Sequence, residues 1–157
     1  MLKFDIPQRA KGTLVALLIG GSSACGGPTA AEEQKLTALR LGQPVPASSL
    51  FPKASTVCVL TPYQAKTGRW EIDRRLPMVD AADEGVWHIV LEQTDGVQAV
   101  AISRGTLDLI HKHNGPKNWV PPRGWTVGAA CVPAAKAAFL RLQTVNRSYV
   151  ALLSRSG

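Results

Sequence analysis

The middle of the chain allows few folds. Residues 86–103 read Val-Trp-His-Ile-Val-Leu-Glu-Gln-Thr-Asp-Gly-Val-Gln-Ala-Val-Ala-Ile-Ser, two runs rich in β-branched and aromatic residues that meet at Asp95-Gly96. Asp-Gly is a favoured two-residue hairpin turn, because both central positions take positive φ. Folding about it sets Leu91 opposite Val100, Ile89 opposite Ile102 and Trp87 opposite Arg104. Glu92 then faces Ala99, and His88 faces Ser103, on the other side. A strand pair with one apolar and one mixed face needs a core to lie on.

The flanking segments agree with a domain built from strands. Thr56-Val57-Cys58-Val59-Leu60 is β-branched and apolar, stopped by Thr61-Pro62, and suits a strand buried on both faces. Residues 64–85 carry Gly68, Pro77, Gly85 and many charges, so they read as loop with a short strand near Arg69–Ile72. Residues 133–153 admit two readings. Pro133 followed by alanines suits a helix start, with Ala135, Ala138, Phe139 and Leu142 at helical spacing. Alternation in Leu140–Val145, then Asn146-Arg147 and a second apolar run, suits a hairpin, the favoured reading. At 157 residues and 45% hydrophobic, the chain has the length of one domain and too much grease for wholesale disorder. The expected class is mainly β, a small antiparallel sandwich or barrel-like domain, with α+β as the alternative.

The N-terminus reads as an address. Lys3, Arg9 and Lys11 precede the apolar run Leu14–Ile19, and small residues Gly20–Ala24 lead to Cys25. Positive segment, short apolar segment and small-residue cleavage site are the parts of a secretory signal. Ser22-Ser23-Ala24 offers ordinary signal peptidase small residues three and one before the cut. The same stretch, ending at Cys25-Gly26-Gly27, resembles a bacterial lipoprotein signal. That resemblance implies lipidation of Cys25, and Gly26 in place of aspartate implies the outer membrane. The expected division is therefore a signal over 1–24, a tether over 25–53 and one β-rich domain over 54–157. Within the tether, Ala30–Leu41 reads as a short helix between Gly26-Gly27-Pro28 and Pro44, Pro46 and Pro52.

Once Cys25 is set aside, Cys58 and Cys131 remain. In an exported chain an even pair reads as one disulfide. No Cys-x-x-Cys supports a zinc ribbon or a redox motif.

Chemistry-bearing residues collect in 111–126, His-Lys-His-Asn-Gly-Pro-Lys-Asn-Trp-Val-Pro-Pro-Arg-Gly-Trp-Thr, which holds no carboxylate. Lys112, Lys117 and Arg123 alternate there with Trp119 and Trp125, a pattern that suits anionic ligands through charge and stacking. Tryptophan also fills cores, so a rigid crossover packed on a sheet is the competing role. His111 and His113 share a side if extended, and with Asp108 or His88 they make a weak metal alternative. No serine elbow, phosphate loop, dinucleotide glycine motif or other cofactor signature is present. The leading expectation is an exported envelope protein, anchored by lipid on Cys25, that binds an anionic envelope polymer or an envelope protein. A metal-assisted envelope hydrolase and a protein inhibitor or assembly factor are the alternatives. The basic excess, 18 against 11, favours negative partners, though little else points to nucleic acid.

Overall fold

The computed structural model describes residues 28–110 and 115–156. The expected leader, Cys25, His111, Lys112 and His113 lie outside them. Two sheets pack face to face. Sheet I runs β4-β3-β2-β7, from β2 (Ala54–Leu60), β3 (Val86–Gln93), β4 (Gly96–Ser103) and β7 (Cys131–Pro133). Sheet II runs β1-β8-β9-β5, from β1 (Val45–Pro46), β5 (Asp108–Ile110), β8 (Ala137–Gln143) and β9 (Ser148–Arg155), and β6 (Trp125–Val127) also pairs with β9. All pairings are antiparallel except β5 with β9. The fold is a small β sandwich, as the alternating patterns require.

The central hairpin has the expected faces and a shifted register. Leu91 pairs with Gln98, Ile89 with Val100 and Trp87 with Ile102, and the two-residue turn is Thr94-Asp95. Asp-Gly does not form the turn; Gly96 begins β4 and lies outside the left-handed region. Each partner moves by two residues, so no side chain changes face. Trp87, Ile89, Leu91, Val100 and Ile102 all enter the core between the sheets. The C-terminal ambiguity resolves as a hairpin, β8 with β9, after a single 3-10 turn at Ala134–Lys136. Near Arg69–Ile72, where a short strand was expected, the chain makes a helical turn, α3 (Trp70–Asp73). The Asp73 carboxylate accepts from the Thr67 amide (2.7 Å), the Thr67 hydroxyl (2.7 Å) and the Gly68 amide (3.1 Å) and ties that turn down.

Residues 28–53 are more than a tether. Helix α1 (Pro28–Thr37) and the short α2 (Ala47–Leu50) belong to the domain, and Leu36, Leu39, Ala47 and Phe51 are buried in its central core. Phe51 meets Phe139 edge to face at 5.6 Å. The Arg141 guanidinium donates to the carbonyls of Thr37 and Leu39, which caps the free carbonyls at the end of α1. The expected boundary at residue 54 is thus too late. Two widely spaced leucines make a weak stripe in sequence, yet they suffice to plug a sandwich.

Both sheets are covered on their outer faces too. Residues 61–85 lay Ile72, Leu76 and Val79 over Leu60 and Val90 of sheet I. On the outer face of sheet II, Trp119 from the preceding loop and Trp125 and Val127 of β6 itself pack in one cluster with Ile110, Leu140 and Leu153. The disulfide Cys58–Cys131 joins directly opposed positions of β2 and β7, with Cα atoms 4.0 Å apart. Gly128 marks the crossing from sheet II to sheet I. Its amide donates to the Leu152 carbonyl at 2.8 Å, and a Cβ would stand 2.8 Å from Val132 Cγ2 and 3.1 Å from that carbonyl.

Candidate functional site

One end of the sandwich collects the start of β3, the end of β4, the start of β5 and the β8–β9 loop. Asp108 opens β5 there, in the run Leu107-Asp108-Leu109-Ile110, every member of which is buried. A carboxylate in such a place needs partners, because stripping it of water is costly. It has three. Trp87 Nε1 donates to Oδ1 at 2.8 Å, Arg104 Nε approaches Oδ1 at 3.4 Å, and Arg147 donates to Oδ2 at 2.5 Å. Arg104 is fixed further by donating to the Glu84 carbonyl at 2.9 Å, and its guanidinium lies 6.0 Å from the Trp87 ring centroid.

Two cations share the one buried carboxylate. They leave unused donors. Among the described residues, Arg104 Nη2 and the Nε–Nη2 edge of Arg147 donate to no protein acceptor. Both arginines line a groove of about 440 Å³, together with Thr106, Gln143, Asn146 and Ser148. Guanidinium groups held in place by a buried acid are suited to oxyanions, since less side-chain freedom is lost on binding. A second cleft of about 290 Å³ lies at the other end, floored by Phe51 and Leu91. Its Lys35 is already paired with Glu32 at 2.8 Å.

The site can be checked through its foundation. Asp108→Ala is expected to destabilise the fold by about 1–3 kcal/mol, the cost of stranding the buried Trp87 N–H. The arginines add little to that loss, because 38% and 53% of their side-chain surface stays in water. Asp108→Asn keeps an oxygen acceptor and should cost clearly less. Urea denaturation of the two variants beside the parent measures both; equal stability of all three would mean the carboxylate carries no structural load.

The residues expected to bind are placed differently from this groove. Lys117 and Arg123 are exposed, whereas Trp119 and Trp125 are half-buried against sheet II. Trp119 closes the turn Pro116–Trp119, where Asn118 takes φ 63°, and it packs beside Gly115 and Ile110. Trp125 has Arg155 over its ring at 5.7 Å. Each indole therefore has one side committed to its own protein, and sheet covering is part of its role. For the metal alternative, Asp108 is held by its three donors, and His88 sits on β3 facing the cover of sheet I. Burial pushes the His88 imidazole below its ordinary pKa, with Asp83 and Asp80 opposing. Among the described residues no three His, Cys, Asp or Glu side chains come together as a metal ion requires.

Sequence reading missed Arg104 and Arg147 because they come from separate elements and meet only through Asp108. One signal was available: a lone aspartate inside an apolar strand demands a cationic or donating neighbour. The chain matches no known family model, no curated protein and no solved structure.

Proposed function

We propose that this is an exported protein, held at the outer membrane by a lipid on Cys25, that acts as a non-catalytic binding module for an anionic ligand of the cell envelope. The observation that carries the binding reading is the pair Arg104 and Arg147, fixed on buried Asp108 and still presenting free donors to a groove. Export and anchoring are supported by the leader's order of charge, grease and small residues before Cys25, and the Cys58–Cys131 disulfide suits an oxidising compartment. No helix among the described residues is long and apolar enough to cross a membrane. Exposed Lys117 and Arg123, with the free rims of Trp119 and Trp125, would supply a second contact if the ligand is a polymer.

Titration of isotope-labelled protein with inorganic phosphate tests the binding reading. The largest amide shifts should fall at Arg104–Thr106 and Asn146–Ser148, and the affinity should fall as salt rises. Arg147→Ala removes an exposed side chain, so it should leave the fold intact while weakening phosphate binding by about tenfold or more. Shifts scattered over the surface, or unaltered affinity in the variant, would refute the groove.

A further inference from the structure

We infer that the groove takes an acidic saccharide, a sugar chain bearing carboxylate groups; this rests on the anion-binding reading and specifies its ligand. The observation is what surrounds the two arginines. Thr106 and Ser148 contribute hydroxyls and Gln143 and Asn146 contribute carboxamides, and all four line the groove. Among the described residues, none of these four side chains makes a hydrogen bond within the protein. Each can both donate and accept.

A lone inorganic oxyanion has little use for that lining, because it needs donors and the arginines already supply them. Sugar hydroxyls need both kinds of partner. The size agrees, since about 440 Å³ lies within the range of roughly 300–1,000 Å³ typical of organic ligands. Beside the exposed Val145 the side chains of the lining are polar, which leaves little for a ligand recognised by apolar contacts. Nη1 is the atom Arg147 gives to Asp108, which leaves its Nε–Nη2 edge, a planar fork, with no acceptor among the described residues. Such an edge matches the two oxygens of a carboxylate. Arg104 Nη2 stands ready for a further oxygen of the same or the next sugar, and the carboxamides of Gln143, at the end of β8, and Asn146 would read hydroxyls beside it.

Calorimetry on the full chain with three probes tests this: trigalacturonic acid, neutral maltotriose and inorganic phosphate. Trigalacturonic acid should bind about tenfold more tightly than either of the others. The double variant Gln143→Ala/Asn146→Ala should lose about tenfold toward trigalacturonic acid, more than it loses toward phosphate, whereas Arg147→Ala should weaken both alike. Shift mapping of trigalacturonic acid on the parent protein gives a readout that needs no variant, and its largest changes should include the side-chain amides of Gln143 and Asn146. Equal affinity for phosphate and trigalacturonic acid, or a double variant that binds the sugar unchanged, would overturn the saccharide assignment and leave the anion site standing. Binding of none of the three would overturn both.

Discussion

A chain that begins at residue 54 is expected not to fold cooperatively. The segment before it supplies Leu36, Leu39 and Phe51 to the central core, with 0%, 7% and 5% of their surfaces exposed. Burying side chains of this size contributes about 1.5–3 kcal/mol each. Their joint loss is comparable with the whole stability of an ordinary domain, roughly 5–15 kcal/mol. The gap would also open the mouth of the sandwich between β4 and β8, where α1 packs. A single substitution provides the graded version: Leu36→Ala should cost about 2–5 kcal/mol, as a cavity in a packed core does. Circular dichroism of the truncated chain and denaturation of Leu36→Ala are the measurements. A sharp unfolding transition in the truncated chain would return residues 28–53 to the status of a tether.

The second large effect concerns the disulfide. Breaking Cys58–Cys131, by reductant or as Cys58→Ala/Cys131→Ala, should cost roughly 4 kcal/mol, because a separation of 73 residues makes a long loop in the unfolded chain. For a domain of this size the melting temperature should fall by roughly 10–15 °C. The effect should centre on β7, three residues long with Pro133 at its end, which pairs with β2 alone. With the bridge gone, the buried Val132, the short ladder to β2 and the Val59 amide on the Ala130 carbonyl (2.9 Å) remain to hold that strand. Thermal melts with and without reductant decide the matter, and coincident curves would show that the bond adds no stability.

These two expectations mark what could be read in the residues and what could not. The buried strand around Cys58 and the two faces of the central hairpin were legible because a period of two and β-branched composition report burial directly. The hairpin's register was not, because Asp95-Gly96 has the stronger local preference and a two-residue shift leaves every side chain on the same face, so the apolar pattern does not separate the two registers. Helix α1 was visible as a helix, but its role was hidden: Leu36 and Leu39 look like a faint stripe until a sandwich with an open mouth stands beside them. Trp119 and Trp125 carry the same signal whether they cover a sheet or stack on a ligand, and only their packing on Leu140 and Leu153 separates the roles. The arginine groove was the least legible part. Arg104, Asp108 and Arg147 belong to a turn, a strand and a hairpin loop, and no spacing rule joins them.

The position of β9 has a consequence for how the chain comes to be folded. Along one edge it pairs with β8, and along the other with β5 at Tyr149–Ala151 and with β6 at Leu153–Arg155. It is the last strand in chain order and the one on which its sheet is assembled. During synthesis β5 and β6 therefore wait without a partner while sheet I can already form its β2–β3–β4 ladder. Contacts that join such distant parts of a chain form slowly, because loop entropy is lost before the contact rewards it. Delayed closure of this kind makes sheet II the late-forming half of the sandwich, so its amides should gain protection from hydrogen exchange after those of the β2–β3–β4 ladder during refolding.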